Sequence, residues 1–261
     1  MLNKSKIEQY GDELYNALVT RTPVAPLTDR EAEITIEDAY QIQQRMIQRR
    51  LDTGETIIGK KIGVTSKVVM DMLKVDQPDF GMMTSGMVFN EGEAIDTSTM
   101  IAPRAEAEVA FVLKSDLQGP GVTAADVLRA TECVVPCFEI VDSRIQDWKI
   151  KIQDTVADNA SCGVLVLGGL RKSPRDIDLA LAGMVLEKNG EVISTSTGAA
   201  VQGSPVNAVA WLANTLGRLG IPLKAGEVIL SGSQSPLVPV KAGDSLVCSV
   251  GGLGSTSVRF I

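Results

Sequence analysis

Residues 104–113 read Arg-Ala-Glu-Ala-Glu-Val-Ala-Phe-Val-Leu, with two carboxylates in alternate positions at the start of an apolar run. Side chains alternate faces along a β-strand, so the pattern predicts a strand with Glu106 and Glu108 on one face. The other face would be apolar, with Ala107, Val109, Phe111 and Leu113. A third carboxylate, Glu139, lies inside the apolar run Val134–Val141. Because burying an unpaired charge is costly, the three glutamates need cations close by.

The composition narrows the choice of cation, because the chain contains no histidine. An imidazole base, a Ser-His-Asp triad and a histidine-ligated zinc or iron site are therefore excluded. The four cysteines form no Cys-x-x-Cys pair, which weakens a thiolate site. An all-oxygen site with few protein ligands favours Mg²⁺ or Mn²⁺. In the alternative interpretation, Glu106 and Glu108 are the solvated face of an edge strand and Glu139 pairs with an arginine.

Length and charge point to a protein that acts on small molecules. The chain has 261 residues, a formal net charge of −7 and only 4% aromatic residues, which predicts an aliphatic core. The negative charge argues against nucleic acid as a partner. The amino terminus is polar rather than signal-like, and no segment approaches the ~20 apolar residues of a membrane span. We therefore expect a cytoplasmic protein without membrane association, whose cysteines are reduced core thiols.

Helical patterns are concentrated near the amino end. Apolar residues recur at helical spacing through the first twenty residues, and a second helix is predicted from its N-cap Thr35, with Asp38 following, to Gly54. A short helix should start at Thr123. Ser204 and the proline after it should cap another helix that ends at Gly220.

Strand patterns dominate the remainder of the chain. Asn189-Gly190 predicts a type I′ hairpin turn within residues 183–195, and residues 227–261 read as four short strands. Since the elements do not alternate as βαβ units, we predict an α+β protein with a mainly β core. No linker is evident, so residues 1–261 should form one domain, with a helical part over 1–55 and a β-rich catalytic core over 56–261.

Several motifs resemble the hydratase/decarboxylase branch of the fumarylacetoacetate hydrolase superfamily across essentially the whole chain. They are the glutamate set, Gly59-Lys60-Lys61-Ile62-Gly63-Val64-Thr65-Ser66, Val156-Ala157-Asp158-Asn159-Ala160-Ser161 and Gly251-Gly252-Leu253-Gly254-Ser255. Three further segments look like those of hydratases that act on 2-hydroxypenta-2,4-dienoate in aromatic meta-cleavage catabolism. These segments are residues 77–81, 139–148 and 225–233.

The resemblance implies a mixed β-roll core, a divalent metal on Glu106, Glu108 and Glu139, and a homo-oligomer that binds a 2-oxo or 2-hydroxy dienoic acid. It also marks Lys61, in the Gly-x-Lys-x-Gly position, as the catalytic lysine. Burial would lower the pKa of Lys61 and nearby glutamates would raise it, while Lys60 is expected to be solvated.

The same resemblance leaves a sister activity open, since 4-oxalocrotonate (2-oxo-3-hexenedioate) decarboxylases share the fold, metal ligands and lysine. An acid at Asp79 favours the hydratase, and we expect this residue in a loop that closes over the site to position water. The alternative for Asp79 is a turn residue after Pro78. Ser161 and Ser233 are candidates for binding the substrate carboxylate, or else local caps.

Two other functions compete with these two, and an association with a decarboxylase is compatible with the hydratase. An acylpyruvate hydrolase of this superfamily would need a His-Glu base, which the chain lacks. A non-catalytic partner subunit is opposed by the intact glutamates and Lys61. A complex with a 4-oxalocrotonate decarboxylase would let an unstable dienol pass between enzymes.

Overall fold

Three helices occupy the amino-terminal part of the computed structural model, which describes residues 1–67, 70–71 and 74–261. They are α1 (Lys4–Thr20), α2 (Leu27–Arg30) and α3 (Ile36–Leu51). Thr35 and Asp38 form the predicted capping box of α3, so both long predicted helices are confirmed. The buried stripes of α1 and α3 pack together in an apolar cluster that includes Leu14 and Ile42. The single turn of α2 is too short to produce a periodic signal.

Strands are the main regular elements after α3, which confirms the predicted α+β class. Thirteen lie in the described ranges: β1 (Ile57–Gly63), β2 (Asp79–Thr84), β3 (Val88–Asn90), β4 (Ala94–Ile95), β5 (Arg104–Leu113), β6 (Thr131–Val141), β7 (Cys162–Leu167), β8 (Gly183–Lys188), β9 (Glu191–Thr197), β10 (Val228–Leu230), β11 (Val238–Pro239), β12 (Ser245–Val250) and β13 (Gly254–Phe260). Three α-helices whose full length lies within the described ranges are interspersed: α4 (Ala124–Ala130), α5 (Ile152–Ala157) and α6 (Pro205–Arg218). The predicted starts at Thr123 and Ser204 are confirmed, whereas α5 was not predicted.

The larger sheet is mixed and places β5 in its interior. Its order within the described residues is β2-β1-β10-β5-β6-β7-β3, with β11 also pairing with β5. β1 runs parallel to β10 and β3 runs parallel to β7, while the other pairs are antiparallel. The register of β5 and β6 sets Glu106 directly opposite Glu139. Glutamates that are far apart in sequence thus face each other across neighbouring strands.

The smaller sheet has the order β4-β13-β12-β8-β9 in the described chain. Its β8–β9 hairpin turns at Asn189 and Gly190, whose φ angles of 55° and 84° confirm the left-handed turn that was predicted. The four short strands predicted after Glu227 are confirmed as β10 to β13.

The main apolar core lies among the two sheets and α6. One cluster joins Phe111 of β5, Leu246 of β12 and Leu212 of α6. All four cysteines are buried and free, as expected. Every helix in the described part of the chain is too short or too polar to span a membrane.

Candidate active site

Glu106, Glu108 and Glu139 converge at the centre of the larger sheet. One carboxylate oxygen from each lies within 4.8 Å of the others. Glu108 and Glu139 are fully buried, and β5 is not an edge strand, so the alternative of a solvated strand face is wrong. Glu139 pairs with Lys61 and not with an arginine.

Three of these buried oxygens make no hydrogen bond within the described structure: Glu108 Oε1 and both oxygens of Glu139. The second oxygen of Glu108 accepts a hydrogen bond from Gly232 N at 2.8 Å. Because buried polar atoms normally find partners, these converging acceptors, of which only Glu139 has a paired ammonium in Lys61 among the described residues, fit a further cation. An all-carboxylate donor set suits a hard divalent ion. The residues present therefore fit the divalent metal that the sequence predicted.

The glutamate cluster is also electrostatically crowded. Shielding of the carboxyl group from water, together with the charge of Glu139, raises the pKa of Glu106 to about 7. Burial and the same neighbour raise the pKa of Glu108 well above its usual range. Burial raises the pKa of Glu139 as well, although Lys61 opposes this shift. Without a cation, the cluster would retain protons near neutral pH.

Lys61 brings an ammonium group to this cluster from β1. Its Nζ donates to Ala160 O at 2.8 Å and lies 3.3 Å from Glu139 Oε1. Burial lowers the pKa of Lys61, but the charges of Glu139 and Asp79 outweigh burial and raise the pKa overall. Lys61 is therefore a buried cation whose position is fixed on two sides.

The expectation that Lys60 is solvated is wrong. Its side chain points to the opposite face of β1, where it is 3% exposed and pairs with Glu227. The Lys60–Glu227 pair can be buried only if other parts of the chain pack on that face of the sheet as well. The sequence pattern alone does not show this packing.

Asp79 is the first residue of β2 and pairs in register with Gly63 of β1. The expectation of a closing loop is therefore wrong for Asp79, and so is the alternative of a turn residue. Its side chain is buried, and burial raises its pKa. A Cβ at Gly63 would lie 2.2 Å from Asp79 Oδ1, so this close approach requires glycine. Asp79 Oδ1 has no hydrogen-bond partner among the described atoms.

The carbonyl that holds Lys61 belongs to an unusual turn. Asn159, Ala160 and Ser161 have φ angles of 54°, 50° and 54°, three consecutive left-handed residues without a glycine. Such backbone costs energy and persists only where its surroundings enforce it. Asn159 is fixed by hydrogen bonds with the backbone of Met82, to Oδ1 at 2.8 Å and from Nδ2 at 2.9 Å.

A buried ion pair supports the same turn from behind. Arg144 and Asp158 are both fully buried and joined side chain to side chain, and Arg144 also donates to Asp158 O and Cys162 O. Sequence reasoning missed this pair. The sequence did offer one signal: Arg144 and Asp158 are charged residues next to apolar ones in the segments 139–148 and 156–161.

Ser161 and Ser233 both line the cavity, and both also have local partners. Ser161 Oγ lies 3.2 Å from Thr155 Oγ1. Ser233 Oγ donates to Ser235 O at 2.8 Å. Each hydroxyl would have to exchange or share this contact to bind a ligand.

The site opens into a cavity of about 500 Å³. Its walls include Lys61, Asp79 and Glu106, together with the apolar side chains of Ile150 and Leu237. A further wall residue, Arg104, places its guanidinium 4.3 Å from the ring centre of Trp148. Arg104 is the first residue of β5, the strand that carries Glu106 and Glu108, but the sequence analysis assigned it no role.

A carboxylate trio beside a buried lysine, carried on this pair of sheets, defines the class of protein. The family model for the fumarylacetoacetate hydrolase C-terminal region matches residues 60–261. The chain belongs to the fumarylacetoacetate hydrolase family, which confirms the resemblance and the fold of that type. The structure of 4-oxalocrotonate decarboxylase from Pseudomonas putida G7, complexed with magnesium and adipate, is similar with a TM-score of 0.97. It is 36% identical, and the match covers 100% of this chain and 99% of that one.

Two curated relatives are more similar in sequence. The 2-hydroxypent-2,4-dienoate hydratase of Pseudomonas putida is 65% identical over 221 residues, which is 84% of this chain and all of the relative. The 2-hydroxyhexa-2,4-dienoate hydratase of Comamonas testosteroni is 58% identical over 262 residues, covering 100% of this chain and 99% of the relative.

Proposed function

We propose that this chain is a divalent-metal-dependent hydro-lyase of aromatic meta-cleavage catabolism. It adds water to 2-hydroxypenta-2,4-dienoate (2-oxopent-4-enoate) and releases 4-hydroxy-2-oxopentanoate. The observation that carries the proposal is the convergence of unpartnered glutamate oxygens, the Lys61 ammonium and buried Asp79 beside one cavity. The hydratase relatives at 58% and 65% identity favour hydration over decarboxylation, since the decarboxylase is 36% identical.

Glu106, Glu108 and Glu139 would hold the metal, which we propose is Mg²⁺ or Mn²⁺. When bound, such a cation would polarise the neighbouring carboxylate and oxo oxygens of a 2-oxo acid. The protein's contribution is to present three carboxylates with few competing hydrogen bonds.

Lys61 stabilises the negative charge that develops on the substrate oxygen, or donates a proton to the carbon chain. Its raised pKa keeps it charged, and Ala160 O and Glu139 hold it in place. A fixed cation of this kind needs little reorganisation during the reaction.

Asp79 is proposed to position the water that adds at C4 and to exchange a proton with it. Its burial raises its pKa towards the range useful for acid–base work. Ser161 and Ser233 are proposed to hydrogen-bond the substrate carboxylate from the cavity wall.

Assembly and domain organisation complete the proposal. The chain is proposed to form a single domain, because α3 packs against α5 and contacts β2. We also propose a homo-oligomer, and a complex with a 4-oxalocrotonate decarboxylase that passes the dienol between the two enzymes. Size-exclusion chromatography with light scattering, alone and with that decarboxylase, tests both.

Replacing Asp79 with asparagine should lower hydration about a hundredfold, the usual range for a lost acid–base group. Solvent exchange of the substrate's C3 or C5 protons should continue, because the glutamates and Lys61 support it without Asp79. Proton exchange and product formation can be followed together by NMR. Asp76→Asn, an exposed aspartate three residues away, is the matched control and should behave like wild type. If exchange and hydration fall together, Asp79 acts in proton transfer to carbon instead.

Metal affinity should rise steeply as pH increases through about 7. The pKa of Glu106, raised to about 7, means that this carboxyl holds a proton below that pH, and a cation must displace it. Burial and Glu139 raise the pKa of Glu108 as well, which acts in the same direction. Calorimetric titration in buffers of different ionisation enthalpy should report protons released on binding. An affinity that is flat from about pH 6 to about pH 8 would contradict the crowded-carboxylate account.

One comparison separates the proposed activity from decarboxylation. The magnesium-loaded protein is incubated with 2-hydroxypenta-2,4-dienoate or with 2-oxo-3-hexenedioate. The proposal expects loss of the dienol absorbance and a product of substrate plus water from the first compound. Carbon dioxide released from the diacid, with the dienoate unchanged, would establish the alternative.

A further inference from the structure

Arg104 is the second cation of a cavity whose wall also carries the carboxylates of Asp79 and Glu106. Among the described residues that line it, only Lys61 and Arg104 carry positive charge. Arg104 lies two positions before Glu106 on the same face of β5, and thus about 7 Å along the strand. Lys61 and Asp79 reach the site from β1 and β2 instead. The cavity therefore receives its two positively charged side chains from different strands, Lys61 from β1 and Arg104 from β5.

The planar face of the Arg104 guanidinium is occupied, but its hydrogen-bond donors are not. The group stacks over Trp148 at 4.3 Å, and Trp148 Nε1 donates to Ala102 O at 3.0 Å. Asp142 accepts hydrogen bonds from the backbone of Ile101 and Ala102, so the platform beneath Arg104 is itself fixed. Within the described residues, the Arg104 side chain makes no ion pair and no hydrogen bond.

This lack of a partner sets Arg104 apart from comparable arginines. Each of the other buried or half-buried arginines pairs with a carboxylate: Arg45, Arg49, Arg50 and Arg144. A stacked guanidinium that leaves its N–H edge free in a cavity is suited to bind an anionic ligand, because its fork matches a carboxylate in a bidentate arrangement.

We infer that Arg104 binds the C1 carboxylate of the substrate, an inference that rests on the proposed function. A 2-oxo acid at the glutamates has a charged end and a carbon chain. Lys61 and Asp79 are assigned to the substrate's oxo oxygen, its water and carbons C3 to C5. Arg104 is therefore the cation of the cavity wall that can join the proposed metal and serines at the C1 carboxylate. Arg104 also offsets the repulsion between an anionic substrate and the cavity's own carboxylates. It thereby sets which end of the substrate faces Asp79.

The test uses two unreactive probes, pyruvate and 2-oxopentanoate, which share the 2-oxo acid head and differ in chain length. Dissociation constants are measured on magnesium-saturated protein for wild type, Arg104→Met, Arg104→Lys and the control Arg259→Met. Arg259 is an exposed arginine of β13 that lies outside the cavity. The melting temperature and the magnesium affinity without probe are recorded for each variant.

Arg104→Met is expected to weaken both probes by the same factor, about tenfold to a hundredfold, as for the loss of a hydrogen bond between charged groups. Arg104→Lys should recover part of this loss, and Arg259→Met should match wild type. Magnesium affinity without probe should not fall in Arg104→Met, because removing a nearby positive charge cannot weaken cation binding through charge.

Two results on the variants would overturn the inference. If only 2-oxopentanoate is weakened, Arg104 faces the chain end of the ligand. If neither probe is weakened, Arg104 serves only to hold Trp148. Failure of the proposed function looks different: wild-type protein would then bind neither probe in a magnesium-dependent way, and the inference would fall with it.

Discussion

Lys61→Met is expected to lower kcat on 2-hydroxypenta-2,4-dienoate by about a hundredfold or more, the loss typical of an acid–base or charge-stabilising group. Methionine keeps the length and apolar stem of the lysine but removes the ammonium that Ala160 O and Glu139 hold. Steady-state kinetics on folded, magnesium-loaded protein measures the effect. Circular dichroism establishes that the variant keeps its fold.

The adjacent lysine provides the control. Lys60 is equally buried but lies on the other face of β1 with Glu227. The double variant Lys60→Met with Glu227→Gln removes both charges of that pair, so that neither is left buried without a partner. Its kcat should stay within a few-fold of the wild-type value. If this variant loses turnover while Lys61→Met retains it, the wrong lysine has been assigned.

Glu108→Gln is expected to abolish turnover and to weaken Mg²⁺ binding by more than the 10–100-fold typical of a lost supporting residue. The same substitution should leave the metal-free protein at least as stable as wild type near neutral pH. Glu108 is fully buried and its pKa is raised by burial and by Glu139, so its charged form is disfavoured until a cation arrives. Calorimetry measures metal affinity, and thermal unfolding measures stability.

Glu132→Gln, on the same sheet, is the matched control because Glu132 is exposed at the far end of β6. Its metal affinity and turnover should equal those of wild type. If Glu108→Gln binds Mg²⁺ as tightly as wild type, the three glutamates are not the metal site.

Local patterns were sufficient to predict most elements of this fold. The capping box at Thr35, the Asn189-Gly190 turn and the proline after Ser204 are signals that lie within a few residues of the structure they specify. The alternation in residues 104–113 likewise predicted that Glu106 and Glu108 share a face. Short elements without a period, such as α2 and α5, gave no comparable signal.

Long-range contacts were the part that residue patterns could not supply. Glu106 faces Glu139 because of a strand register that no local motif determines, and only the family resemblance grouped the two with Lys61. The predictions of a solvated Lys60 and of a loop at Asp79 were wrong for a related reason. The burial of Lys60 depends on what covers β1, and Asp79 is held by pairing with a strand sixteen residues earlier in the chain.

Buried polar groups outside the glutamate set were also missed. Arg144 and Asp158 lie in motifs that resembled the family, but their pairing and the left-handed turn they support depend on tertiary packing. The stacking of Arg104 on Trp148 joins residues far apart in sequence. In both cases the sequence shows the residue types, but it does not show which residues contact each other.

The central claim is that the glutamates, Lys61 and Asp79 together hydrate a 2-oxo dienoic acid. NMR in D₂O with 2-hydroxypenta-2,4-dienoate tests it most directly, because one spectrum reports both proton transfer to carbon and water addition. With Mg²⁺, wild-type protein should form 4-hydroxy-2-oxopentanoate that carries deuterium at C3 and C5, and after metal removal it should form none. Full hydration by metal-free protein, or deuterium exchange with Mg²⁺ that never leads to hydration in the wild type, would contradict the account.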